Sequence, residues 1–449
     1  MNQKERSFLQ NIKRILITLL AFMMLMPSIA MADSHATVKT PASDLRATLD
    51  QLLSEHFVLA TTYLMKAYDE APDQDAVWEK LDQNAQDMTP AIASIYGDEA
   101  AQQFEDIFRG HNDYVDGFVE AAKNDDAEAR QMAEAEVEEF VNEFGGFLAT
   151  ATEGNLPEDA AKQVLEAHEQ DVVKVFDHYV NEEYQEAYQA FREGFNRMFD
   201  ISKALSSAIV TQMPEKFEQT KADTPAADLR SNLNALASEH FALAVLEMQK
   251  GYDQAADYDF VTWAENEHTS DFKAAIASLY GEEGAVQFEK VWQQDHITAQ
   301  SEIVTAALEE DEEARQMAEE NLMMFAEDFG AFLATATEGN LPEDAAKEAV
   351  WQHEEQVLNT FDAYVDGDYT KAYDHFREGY GFMFGIGETL GDAIVKQMPD
   401  QFEQDMMPEQ MPDTGMGGMS DGITTWMWAA FGVLAVVAAG ALYRKQTNS

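Results

Sequence analysis

The sequence contains no cysteine, so no disulfide, thiolate ligand or thiol nucleophile is available. Stability must come from packed apolar cores. Basic residues are scarce: 29 Lys and Arg stand against 84 Asp and Glu, a formal charge of −55. A surface that acidic repels nucleic acid and anionic lipid. It suits a saline exterior, weak binding of divalent cations on acidic faces, or solubility alone. There is no Gly-x-Ser-x-Gly elbow and no glycine-rich phosphate loop ahead of a helix, so no nucleophile or phosphate-binding signature appears. β-Branched runs are rare while Ala and Glu abound, which favours helix over sheet.

Long apolar runs do occur, at the two ends. Residues 1–32 have a basic front (Lys4, Arg6, Lys13, Arg14), an apolar stretch from Ile15 to about Ile29, and small residues at Ala30 and Ala32. That order predicts a secretory signal peptide cut after Ala32. Removing its four bases and one acid takes the charge to about −58. The second run, Ile423 to Tyr443, is uncharged for 21 residues, long enough for a transmembrane helix. Trp426 and Trp428 mark one interface, and Tyr443, Arg444 and Lys445 mark the other. The basic tail 444–449 is expected in the cytoplasm and the bulk of the chain outside it.

Between these ends the chain is written twice. FLATATEGNLPEDAAK at 147–162 recurs without a change at 332–347. "PASDLRATLDQLLSEHFVLA" from Pro41 aligns with "PAADLRSNLNALASEHFALA" from Pro225, and "AIVTQMPEKF" aligns with "AIVKQMPDQF". The offset is 184 residues early and 185 later, so one residue is inserted before His296. About half the aligned positions are identical, the mark of a duplicated domain rather than a short solenoid repeat. The copies span 41–217 and 225–402, each of a size that can enclose a core.

Both copies read as helix. Leu45, Leu49, Leu52, His56, Leu59 and Tyr63 recur at three- and four-residue steps, as do Phe104, Phe108, His111, Val115 and Phe118. Ala161, Leu165, His168, Val172 and Phe176 form a third face, and Phe191, Phe195, Met198, Ile201 and Leu205 a fourth. Breaks are expected at Tyr96-Gly97, at "NDDAEA", and at "EGNLPED", where Gly154 can end one helix and Pro157 open the next. The fold class that follows is all-α: two tandem antiparallel bundles of five to six helices each, plus the C-terminal transmembrane helix.

Three histidines coincide between the copies: His56 with His240, His111 with His296, and His168 with His353. At half identity, chance retains three given residues about one time in eight, so the argument rests on placement. Each lies on the apolar stripe of a different helix, about ten to fifteen residues in, roughly 15 to 22 Å along the axis. In a bundle they would meet in one layer, with Met198 or Met383 of the last helix nearby. Glu55 and Glu239 precede the first histidine of each copy, and Glu169 and Glu354 follow the third. An imidazole cluster without cysteine suits zinc, copper or iron; a methionine would tilt it toward copper or haem. The competing expectation is buried neutral histidines, each bonded across the core.

The second copy adds His268, closing a Glu-x-x-His from Glu265. Carboxylate-bridged di-iron bundles use two such pairs. The first copy reads "KLDQN" there, which argues against a di-iron oxidase. His178 and His375 have no histidine counterpart and read as surface or rim residues.

Residues 403–422 mix proline, glycine and methionine without periodicity, a flexible linker. They hold Met411, Pro412, Asp413, Thr414 and Gly415, followed by the apolar run and the basic tail. This arrangement resembles the sorting signal of sortase-processed surface proteins, with Met411 where leucine is usual. The resemblance covers about the last forty residues. It implies cleavage between Thr414 and Gly415 by a sortase and transfer of Thr414 to an envelope amine. The repeat itself, through "SEHF", "AIASxYG" and "AIVxQMPxxF", is similar to modules of secreted, uncharacterised bacterial helical proteins. The sequence thus predicts an exported, membrane- or wall-anchored, non-enzymatic protein with one metal or metallo-cofactor site per bundle. The alternatives are an adhesive scaffold without metal and, more weakly, a metal-dependent oxidoreductase.

Overall fold

A computed structural model describes residues 36–403, and every regular element among them is helical. The first copy forms α1 (Pro41–Tyr68), α2 (Gln74–Tyr96), α3 (Asp98–Asn112), α4 (Tyr114–Asn124), α5 (Ala127–Ala151), α6 (Glu158–Val180) and α7 (Tyr184–Gln212). The second forms α8 (Pro225–Tyr252), α9 (Tyr258–Val291), a π-helical turn (Trp292–Ile297), α10 (Thr298–Glu309), α11 (Glu312–Ala336), α12 (Glu343–Val365) and α13 (Tyr369–Gln397). A 3₁₀ turn at Pro399–Gln401 follows. The expected signal peptide (1–32), nearly all of the linker with its sorting-like motif (411–415), the membrane-spanning run (423–443) and the tail (444–449) lie outside the described residues. Among the described residues no helix is long and apolar enough to cross a membrane.

Local sequence sets the helix ends. Thr40 caps α1 by accepting from Ser43 N, with Pro41 at the first helical position; Thr224 and Pro225 repeat this at α8. Asp126 and Asp311 each accept from two backbone N–H groups at the starts of α5 and α11. The duplicated sixteen residues build the same turn twice. The Thr152 hydroxyl donates to Leu148 O and accepts from Leu156 N, and Thr337 does the same with Leu333 and Leu341. Gly154 and Gly339 there take φ of +79° and +77°, a left-handed turn that glycine adopts without strain.

The expected break at Gly97 is present, with φ +87°. Its counterpart Gly281 (φ +73°) kinks α9 at the same place. A further break at Asp113 was not expected, and it brings the first copy to seven helical segments. Asp113 itself keeps right-handed helical angles, so α3 and α4 differ by a kink rather than a loop. The same region of the second copy holds the inserted residue. Phe108 to His111 spans three positions, whereas Trp292 to His296 spans four, and the π-helical turn covers that interval. One extra residue is absorbed by widening one helical turn, the usual origin of a π-bulge.

The two copies share one apolar core. Phe57, Phe176, Phe191 and Phe195 of the first pack in one cluster with Phe241, Phe361, Phe376 and Tyr380 of the second. Polar contacts between the copies come in reciprocal pairs. Arg192 (α7) binds Glu239 and Asp271, while Arg377 (α13) binds Glu55 and Asp87. Tyr188 donates to Asp257 at 2.7 Å, and Tyr373 to Asp73 at 2.8 Å. Arg46 reaches Asp228 and Ala222 O, and Arg230 reaches Asp44 and Val38 O. Each partner differs from its twin by the repeat offset, so the copies are related by an approximate twofold axis. Helices α1 and α8 lie side by side across it.

Candidate metal centres

The four letters Ser-Glu-His-Phe on α1 and α8 each have a separate task, because successive residues of a helix point about 100° apart. Ser54 accepts from Tyr380 OH at 2.6 Å. Glu55 turns to the other copy, where both of its oxygens meet Arg377 at 2.9 and 2.8 Å. His56 points into its own copy. Phe57 lies under Gly194, where an added Cβ would stand 2.4 Å from the ring. In the second copy Glu239 meets Arg192, His240 points inward, and Phe241 lies 2.2 Å from the place of a Cβ on Gly379. A tight-packed phenylalanine and an ion-paired glutamate thus hold each histidine from both sides.

Three helical rods then converge on it. His56 (α1), His111 (α3) and His168 (α6) are all buried and offer ligand atoms within 4.8 Å of one another. His240 (α8), His296 (π turn) and His353 (α12) do the same in the second copy. Ring centroids lie 5.1 Å apart for His56–His111 and for His240–His296. The two Nε2 atoms of His240 and His296 are 3.0 Å apart, close to the about 3.3 Å between ligands of a tetrahedral ion with bonds near 2.0–2.1 Å. The mid-helix expectation holds for His56 and His168. His111 is the next-to-last residue of α3, because the unexpected break at Asp113 ends that helix early; it reaches the same layer through the kinked α3–α4 rod.

Burial governs the charge state. Desolvation lowers all six imidazoles: His56 and His240 far below the usual histidine value, His168 to about 4, and His111, His296 and His353 to about 3. The rings are therefore neutral at pH 7, with lone pairs to donate. Burial pushes the adjacent Glu169 up to about 7 and raises Glu354. His240 Nδ1 is 2.6 Å from Glu265 Oε1, and His111 Nδ1 contacts Phe108 O. Such outer hydrogen bonds fix which ring nitrogen faces a metal. His296 Nδ1 lies 3.2 Å from Glu354 Oε1 without hydrogen-bond geometry.

Several polar atoms at the centres have no hydrogen-bond partner among the described residues. They are Nδ1 of His56 and His168, both nitrogens of His353, one oxygen of Glu169 and both of Glu354. Each such buried group costs about 1–3 kcal/mol, and a cation between the rings would satisfy several at once. The imidazole-only donor set fits zinc, copper or iron.

The other expected site residues have separate surroundings. Met198 and Met383 are buried in the shared apolar core. Glu55 and Glu239 are taken by the arginines of the opposite copy. His268 (α9) is buried beside the second triad, where His240, Glu265 and His268 form a further group within 4.8 Å. Sequence reasoning read Glu265 only as half of a di-iron pair and missed it as a neighbour of His240. The signal was its substitution for Leu81 at an otherwise apolar position. His178 and His375 pair with nearby glutamates, Glu183 and Glu378, consistent with rim positions. No protein-family model, no curated protein and no solved structure matches the chain.

Proposed function

We propose that the protein is a metal-ion-binding module with one ion in each histidine triad, and that it acts by holding metal rather than by turning over a substrate. The observation that carries this reading is the convergence of three buried, neutral imidazoles from three separate helices, twice in one chain, with one ligand nitrogen of each within 4.8 Å of the others. A porphyrin is disfavoured, since its plane does not pass between three side chains this close together. Zinc, copper and iron remain the matching ions.

The test is equilibrium dialysis of the purified chain against each metal, followed by elemental analysis. The expected result is bound metal in the wild type and none in the double variant His56→Ala/His240→Ala. Thermal stability should fall in chelator for the wild type only. A metal-free wild type, equally stable with and without chelator, would show that the histidines serve packing alone.

We further infer that the bundles are exported and tethered outside the cell. The support is the leader-like residues 1–32 and the ordered series of Met411–Gly415, apolar run and basic tail. A Thr414→Ala variant should keep its C-terminal run and so gain mass relative to the processed wild type; equal mature masses would refute sortase processing.

A further inference from the structure

The two centres share their triads but differ in what surrounds them. On the first copy's α1 and α2 stand Tyr63, Trp78, Leu81 and Asn84. The corresponding residues of the second copy are Glu247, Thr262, Glu265 and His268, of which Glu265 and His268 neighbour His240. In the first copy Tyr63 and Trp78 pack ring to ring at 5.0 Å, Leu81 is fully buried, and Asn84 donates to Leu52 O and Glu55. In the second copy a cavity of about 260 Å³ opens at this place, lined by Glu247, Thr262, Glu265, Asn266, Thr269 and Ile297.

His268 takes over half of Asn84's task. Its Nε2 is 2.8 Å from Leu236 O, the twin of Leu52. That leaves its Nδ1 buried without a hydrogen-bond partner among the described residues, as is Glu265 Oε2. His240 connects this group to the triad: its Nε2 faces His296 while its Nδ1 faces Glu265. A carboxylate serving only to orient His240 would need neither the second imidazole nor the cavity beside it. Arg192, whose charge acts on Glu265, is already bound to Glu239 and Asp271.

We propose that the second copy holds a second metal ion, bound by His240 Nδ1, the Glu265 carboxylate and His268 Nδ1, with the His240 ring bridging it to the ion in the triad. This rests on the triad binding metal. With one ion, the His240 Nδ1–H donates to Glu265. The second ion enters through the cavity and takes the place of that proton, which leaves to solvent, so each second ion releases one proton as the ring becomes an imidazolate. Carboxylate and imidazole donors suit zinc or copper(II). The chain then carries three ions, one in the first copy and two in the second.

Native mass spectrometry of the full chain titrated with zinc tests this. The wild type should take up three zinc ions. The variant Glu265→Leu/His268→Asn carries the residues that the first copy accommodates at these positions, and it should take up two. Glu265→Gln keeps the shape and removes the anionic ligand, so it should weaken only the third ion, by tenfold or more. With copper(II), the wild type should give the spin-coupled signal of a bridged pair, lost in the double variant. Two ions in both wild type and variant would overturn the second position while leaving the triads intact. No ions at all would overturn the triad reading as well. Three ions in both, or three without copper coupling, would place the extra ion elsewhere and refute the bridge.

Discussion

The two copies are the same scaffold with different interiors. What holds the copies together is duplicated: the Arg–Glu–Asp clusters, the Tyr–Asp bonds and the Phe rings under Gly194 and Gly379. What lies next to the metal-facing histidine differs. Leu81 becomes Glu265, Asn84 becomes His268, Tyr63 becomes Glu247, and an extra residue turns the helix before His296 into a π turn. The comparison teaches that the shared part fixes where the imidazoles stand, while the differing part decides what reaches them. The scaffold is also crossed: the glutamate beside each triad is held by an arginine of the other copy.

Breaking that cross-bracing should have the largest effect on stability. Arg377→Ala strands the buried Glu55, and Arg192→Ala strands Glu239. Each should cost about 3–5 kcal/mol, as for a buried pair missing one partner, measured by urea unfolding. The crossing adds a sharper expectation: Arg377→Ala should weaken metal binding in the first copy and Arg192→Ala in the second. Loss confined to the copy that carries the mutated arginine would contradict the crossed arrangement.

Next comes a place where the twofold relation brings unlike residues together. Asp50 of α1 is fully buried near Asn234 of α8, its counterpart in the repeat. Burial lifts its carboxyl to about 6 against the attraction of Arg46. A raised folded value means that the folded state prefers the protonated acid. The penalty is absent well below the unfolded value near 3.9, grows as pH rises through about 6, and is constant above that. Asp50→Asn should therefore stabilise the protein at pH 7, by up to about 3 kcal/mol from a shift of roughly two units, and should change little at pH 4. Equal stability of the variant and wild type at both pH values would show that this contact is not strained. A second aspartate at position 234 would bury two like charges together; the asparagine avoids it.

The smallest expected effect concerns the glycines. Gly194→Ala and Gly379→Ala push a methyl into Phe57 and Phe241 and should each cost about 1–3 kcal/mol. Because these rings flank His56 and His240, the substitutions should also displace the histidines. A neutral effect at only one of the two positions would show that the copies are packed less alike than their contacts indicate.

Much of this was legible in the sequence, and the limits have physical causes. Helical periodicity, the duplicated turn at 147–162 and the glycine break at 97 follow from local chemistry, which one strand of text records. The triads were legible because three histidines interrupt three apolar stripes at matching places in both copies. Periodicity shows which face of a helix is buried but not against what. It could not reveal that Glu55 and Glu239 answer to arginines about 322 and 47 positions away. Nor could it show that Met198 and Met383 belong to one core shared by both copies. The π turn was visible as an inserted residue, but not as a widened helix. Glu265 was obscured by its own motif, since a Glu-x-x-His pair points first to di-iron chemistry.

The central claim is that each triad encloses a metal ion. It is tested most directly by anomalous diffraction from crystals of the metal-loaded protein at the absorption edge of the bound element. The account predicts a peak between His56, His111 and His168 and another between His240, His296 and His353. Well-ordered imidazoles with no anomalous peak at either triad would contradict it.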